Sequence, residues 1–263
     1  MKYALLDGKK IIAKPGLMGH CPSCGSELIP RCGNIKIHHW AHKSAKMCDN
    51  WWENETQWHR DWKNLFPNEW QEVVQIADDG EKHIADVKTT EGWVVEFQHS
   101  YLKHEERESR NKFYNPKFIW IVDGGRRKRD IKQFLKILDI QNIVRYQEIE
   151  LFTNDNLLNR NTLIEEWGFS KGLVFFDFGK YEKLQDLWLL VTHSDLKTYL
   201  VPIAKEQVVQ YLLEGNFEKL NQVILSLEKI LIGDNRDRKT RYTVHLDYAR
   251  MRKIQRIKGR NRL

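Results

Sequence analysis

Five residues that suit a soft metal fall within one short stretch: Cys21, Cys24, His39, His42 and Cys48. Cys21-Pro22-Ser23-Cys24-Gly25 has the two-residue spacing that lets both sulfurs reach one ion, and its glycine permits the tight turn this requires. Fourteen residues separate Cys24 from His39, an ordinary loop length for zinc. All four cysteines of the chain lie between positions 21 and 48, which points to metal rather than to disulfides. Cys21 and Cys24 with two of His39, His42 and Cys48 would close a tetrahedral, structural Zn²⁺ site, leaving Cys32 and His38 as bystanders.

A second group offers oxygen. Asp86 precedes Glu96-Phe97-Gln98, and residues two apart in a strand share a face, so Glu96 and Gln98 point the same way. If Thr90-Glu91-Gly92 is a three-residue hairpin loop, Thr89 pairs with Trp93, and the same register sets Asp86 opposite Glu96. Ile84, Val87, Val94, Val95 and Phe97 surround the pair and predict a largely buried hairpin, where like charges need protonation or a cation. Mg²⁺ or Mn²⁺ suits such an oxygen-lined site and serves phosphodiester hydrolysis. A helical pattern from about Asn50 to Phe66 sets Glu55, His59 and Lys63 on one face, with Trp58 and Trp62 beside it to dock on a sheet.

These residues need a scaffold of helices and strands. Short strands are predicted at Tyr3–Leu6 and near Ile11–Ala13. Pro67 ends the helical pattern, and Trp70–Ala77, His83–Thr89 and Trp93–Ser100 read as strands separated by Asp78-Asp79-Gly80 and Thr90-Glu91-Gly92. A helix from about Leu102 to Phe113 and the strand Phe118–Val122 follow. Further on, Asp130–Leu138 reads as a helix, Leu173–Phe178, Leu187–Thr192 and Tyr199–Ile203 as strands, and Lys205 to about Leu231 as one or two helices. The fold class expected is α/β, a mixed four-stranded sheet flanked by helices. Residues 1–49 form a zinc module before it, and an α+β C-terminal extension follows. The expected divisions are 1–49, 50–150, 151–234 and 235–263.

The formal charge of +7 is unevenly spread, for residues 235–263 hold eleven Lys/Arg against Asp237 and Asp247, about +9, and the rest of the chain is near −2. Arg250, Arg252, Lys253 and Arg256 in that basic tail are candidates for non-specific DNA binding. No apolar run approaches the roughly 18 to 20 residues of a membrane span, and the N-terminus lacks a secretion layout; a cytoplasmic place without a membrane partner is expected. Asp177-Phe178-Gly179 reads as a strand end and turn, and Gly124-Gly125-Arg126-Arg127-Lys128-Arg129 as a basic loop that either binds phosphate or is simply solvated.

Taken together, Cys21-Pro22-Ser23-Cys24-Gly25, His39-Trp40-Ala41-His42-Lys43-Ser44, Cys48-Asp49, Glu53-Asn54-Glu55, His59, Lys63, Ala85-Asp86-Val87, Glu96-Phe97-Gln98 and Glu106-Arg107 resemble the CoiA-like competence proteins. The resemblance covers roughly residues 1 to 125. It implies a Cys/His zinc module joined to a PD-(D/E)XK restriction-endonuclease-like core, a metal-dependent deoxyribonuclease of DNA uptake, recombination or defence against foreign DNA. It further implies Glu55, Asp86 and Glu96 as holders of a catalytic Mg²⁺ or Mn²⁺. Gln98 stands where many such nucleases carry the lysine that orients water. Arg107, Arg110 and Tyr114 would face the substrate phosphate. DNA is the implied partner, together with a recombination or defence protein. The rival expectation is a non-catalytic DNA-binding recombination accessory that keeps the nuclease fold as a scaffold, because Gln98 cannot act as a cation.

Overall fold

The computed structural model describes residues 1–44, 48–51, 53–139, 143–146, 149–155, 160–179, 181–192 and 197–232. Two sheets carry the chain. The first is antiparallel, built from β1 (Tyr3–Leu6), β2 (Lys9–Ile12), β3 (Gly19–His20), β4 (Glu27–Arg31) and β5 (His39–His42) in the spatial order β2-β1-β3-β4-β5. Its fully buried core is Ala4, Ala13, Cys21, Leu28 and Trp40, too little apolar surface for a sheet of this size to stand without a staple. Gly19 lets β3 lie against β1, since a Cβ there would meet the Ala4 Cβ at 2.7 Å.

The second sheet has nine strands: β6 (Gln71–Ile76), β7 (Lys82–Lys88), β8 (Val94–Gln98), β9 (Phe118–Asp123), β10 (Ile143–Tyr146), β11 (Ile149–Asp155), β12 (Leu173–Asp177), β13 (Leu187–Thr192) and β14 (Lys197–Ile203). Their order is β10-β11-β14-β13-β12-β9-β8-β7-β6, with β8, β9 and β12 parallel and the other neighbours antiparallel. One face packs under α1 (Gln57–Lys63), α5 (Lys205–Leu213) and α6 (Phe217–Ile232), the other under α2 (His104–Tyr114), α3 (Lys128–Asp139) and α4 (Thr162–Trp167). Strand β9 is buried on both sides, Ile119 and Ile121 entering the first core and Phe118, Trp120 and Val122 the second, which is why its sequence is an unbroken apolar run. Among the described residues no helix is long and apolar enough to cross a membrane.

Three expectations need correction. The sheet does not stop at four strands with a separate α+β extension after it: β12 pairs in parallel with β9, Phe175 opposite Ile121, and the other C-terminal strands continue from there. The edge of β9 is too apolar to be left open. Residues on both sides of position 150 share the two cores, so the 50–150 and 151–234 regions are one packed body. The helix predicted from about Asn50 starts only at Gln57. Thr56 caps it, its hydroxyl accepting from the His59 amide while His59 Nδ1 accepts from the Thr56 amide, and Glu55 therefore precedes the helix. Trp58 and Trp62 do dock α1 on the sheet, both indoles donating to Asp177 Oδ2, at 2.9 and 2.7 Å. The tail, with Arg250, Arg252, Lys253 and Arg256, lies outside the described residues.

Candidate metal centre and carboxylate site

Cys21, Cys24, His42 and Cys48 place one ligand atom each within 4.8 Å of one another. Cys21 Sγ and Cys48 Sγ stand 3.6 Å apart, and Cys24 Sγ lies 3.4 Å from His42 Nε2. Tetrahedral zinc with bonds of about 2.3 Å to sulfur and 2.0 Å to nitrogen needs edges of roughly 3.8 and 3.5 Å, so the four residues fit that ion. The knuckle closes as the amides of Cys21 and Gly25 bond to Ser26 O and Cys21 O, each at 2.9 Å, with Gly25 at φ +71°. Strand alternation decides between the histidines: His39 and His42 end the same short strand on opposite faces, and His39 Nδ1 bonds to Ile37 O. Burial would raise the Cys24 thiol, but hydrogen bonds from Ser26 and His42 bring it to about 6. Burial and the neighbouring Cys21 push Cys48 up to about 12. A bound dication would let all three sulfurs stand together as thiolates.

The oxygen cluster forms where β7 changes face. Ala85 packs in the core beneath α2 and Val87 in the core beneath α1, although residues two apart in a regular strand share a side. Between them sits Asp86. Across β6 the ladder sets Gln71 opposite Val87 and Val73 opposite Ala85, which puts Glu72, at φ +48°, opposite Asp86. Across β8 the ladder runs only through Lys88–Val94 and Val87–Val95. Past that point the carboxylates replace it: the Asp86 amide donates to Glu96 Oε1 at 3.2 Å and the Phe97 amide to Asp86 Oδ2 at 3.0 Å.

The charges are balanced internally. Lys63 Nζ, at the end of α1, lies 2.9 Å from Asp86, 3.1 Å from Glu72 and 3.4 Å from Glu55. Burial lowers its pKa, but Asp86, Glu72 and Glu55 outweigh that and hold it well above the usual lysine value. Glu55 also meets Arg60 at 2.6 Å. Burial would raise Glu72, yet Lys63 and the amides of Lys2 and Tyr3 bring it down to about 2. Glu96 goes the other way. Burial, then Asp86, push it up to about 8 against the pull of Arg110, whose guanidinium is 3.2 Å away.

Glu55, Asp86 and Glu96 line one cavity of about 290 Å³, with Lys63, Glu72, Arg110 and Tyr114. Its opposite wall comes from the small sheet, through Trp40, His42, Ser44 and Cys48. Asp49, next to the ligand Cys48, ties the walls together by accepting from His83 Nδ1 and the Ile84 amide, each at 2.9 Å. Among the described residues only the Cys/His group brings three or more ligand atoms within 4.8 Å, because Lys63 stands between Glu55 and the strand carboxylates.

The remaining candidates are placed otherwise. Gln98 turns its amide to Glu53 and Ser100 rather than to the acid pair. Burial would raise Glu53, but His59 and Ser100 donate to it and bring it to about 2. Arg110 and Tyr114 reach the cavity. Arg107 does not: it is buried, bonded to the Glu166 carbonyl and His104, and holds α2 to α4 rather than facing a phosphate. The basic loop after β9 is likewise engaged, Arg126 and Arg127 both pairing with Glu166. Sequence reasoning missed Glu72. A signal was there, since closing Asp78-Asp79-Gly80 as a hairpin loop pairs Ala77 with Glu81 and brings Glu72 opposite Asp86.

Residues 19–50, which hold all four members of the Cys/His group, match the family model described as competence protein CoiA, N-terminal domain. Comparison with curated proteins gave no match, and neither did comparison with solved structures.

Proposed function

Proceeding from a CoiA-like competence protein, we propose that the chain is a Mg²⁺- or Mn²⁺-dependent nuclease of the PD-(D/E)XK type, hydrolysing DNA phosphodiester bonds in uptake, recombination or defence. One observation carries the reading. Asp86 and Glu96, on neighbouring strands, give up ladder bonds to face a shared cavity, and Glu96 keeps its proton up to about 8. For folding alone, such an acid pair is a cost; for a hard dication it is a receptor. The order α1, β6-β7-β8, α2, then β9 parallel to β8 supports the same class, as a four-stranded core inside the larger sheet.

Asp86 and Glu96 would hold the ion, and Glu55, parted from them by Lys63, would line the same cavity. When bound, the ion would activate water and stabilise charge on the leaving oxygen. Arg110 holds Glu96 in place, and the Cys/His group, which would hold zinc, walls the cavity through His42 and Cys48. The tail would supply salt-sensitive DNA affinity.

The test is labelled single- and double-stranded DNA incubated with purified protein and Mg²⁺, Mn²⁺ or chelator. Cleavage should need metal, and Asp86→Asn or Glu96→Gln should lower it by about 10²-fold or more while DNA binding survives. Unchanged cleavage in both variants would discard the site. The accessory reading is favoured by Gln98 facing Glu53, and DNA binding without cleavage under every metal would establish it.

A further inference from the structure

We propose that a second groove, at the carboxyl ends of strands β9 and β12, docks an arginine side chain of a partner protein. The two strands are parallel and paired down to Asp177 opposite Asp123, so the turns that follow them open on the same rim. The groove there measures about 480 Å³ and shares no lining residue with the cavity of the carboxylate site. Trp58 from α1, Phe178 and Tyr181 give it aromatic walls, and Asp123 and Glu182 give it carboxylates. It stands apart from the nuclease reading.

Its frame is held from within. The Trp58 indole donates to Asp177 Oδ2 at 2.9 Å, which fixes the ring while leaving it half-buried at the groove. Asp177 Oδ1 accepts from the Gly179 amide at 2.9 Å, with Gly179 at φ +64°. Gly124 lets the Phe178 ring lie close, since a Cβ there would meet it at 2.6 Å. Asp123 is oriented by the Gly125 amide at 2.8 Å and by His99 Nδ1 at 2.7 Å, and a neutral imidazole suffices for that bond.

The outer parts have no such duty. Tyr181 is 47% exposed and belongs to neither core of the large sheet, and Glu182 is exposed with no cation paired to it among the described residues. Two cations near this rim are engaged: Lys205 with Asp177 and the Trp62 ring, and Arg126 with Glu166. Flat rings beside acceptor-only oxygens therefore face solvent without a cation of the chain's own. A guanidinium is planar, always charged and weakly hydrated; it stacks on aromatic faces and forks onto a carboxylate. A lysine ammonium is compact and strongly hydrated, and it gains less from flat walls. A nucleotide would stack as well, but it would bring phosphate towards Asp123 and Glu182 against their charge. The groove is open rather than enclosed, a shape that admits a side chain from another protein's surface.

The test titrates full-length, zinc-loaded protein with a peptide of alternating arginine and glycine, its lysine counterpart, and guanosine monophosphate. Calorimetry gives the affinity, and the Gly125 and Gly179 amide resonances report whether this groove is the place. The arginine peptide should shift both amides, and the lysine peptide should bind about threefold to tenfold more weakly. Tyr181→Ala and Glu182→Gln, both at exposed positions, should each weaken the arginine peptide by a similar factor with melting unchanged. Glu218→Gln, an exposed acid on α6, should leave it as it is. Wild-type affinity in both groove variants overturns the proposal, as does the absence of binding up to about 1 mM peptide. Equal affinity for the lysine peptide overturns the guanidinium assignment. Guanosine monophosphate that binds more tightly than the peptide, shifts the same amides and is lost in Tyr181→Ala would make the groove a base site and overturn the proposal too.

Discussion

The two polar clusters on opposite walls of one cavity handle like charge in opposite ways. Cys21, Cys24, His42 and Cys48 bring four ligand atoms together with no lysine or arginine among them, a group that could take a metal ion. Glu55, Glu72 and Asp86 hold Lys63 at their centre, and Glu96 keeps a proton. The difference follows from their settings. The small sheet has five buried core residues and a Cys/His group that could hold zinc, whereas the large sheet has two cores and can bear the cost of buried charge.

The sharpest way to break the contrast is to remove each support in turn. Stripping zinc by chelation, or Cys24→Ser, should unfold the small sheet, since structural zinc supplies on the order of 10 kcal/mol to domains of this kind. Native mass spectrometry should find one zinc per wild-type chain and none in the variant, with protection of β3–β5 lost in hydrogen exchange. Asp177→Ala comes next. It strands two indole donors, so denaturant unfolding should show a loss of about 2–4 kcal/mol, with zinc content unchanged.

Proton linkage gives a finer test. Glu96 has a raised pKa, so its contribution favours the fold below the unfolded value near 4.5 and is lost as pH climbs through about 8. Metal-free wild type should therefore melt lower at pH 9 than at pH 7, Glu96→Gln should lose that fall, and Mg²⁺ should bind more tightly as pH rises towards 8. Glu72 and Glu53 carry the opposite sign, contributing above 4.5 and failing as pH falls through about 2. Calorimetry across pH separates the two. Smallest of all, Lys43→Ala removes an exposed pair with Glu27 and should leave the melting point where it is.

What could be read in the sequence was whatever depends on local spacing. The Cys21–Cys24 knuckle and the two hairpin loops set distances along the chain, and Val87 lies opposite Val95 in the register that Thr90-Glu91-Gly92 predicts. Choosing His42 over His39 needed to know that β5 is a strand, because only alternation tells the two apart. Glu55 was misplaced by assuming one continuous helix, where the Thr56 cap begins a new one. The role of Lys63 is purely tertiary: its three partners come from a loop and two strands, and no periodicity links them. The C-terminal strands were legible one by one, but their joining β9 was not, since pairing across fifty residues leaves no short-range pattern.

Strand β6 ends the large sheet, and it is there that Glu72 grips the amides of Lys2 and Tyr3 while Lys10 bonds to the Gln71 carbonyl. The small sheet thus acts as a guard rail. Backbone groups that would otherwise recruit a stranger's strand are screened. A fragment trimmed to begin after Cys48 would expose that border and tend to clump, so attempts to isolate the larger body should keep its companion attached.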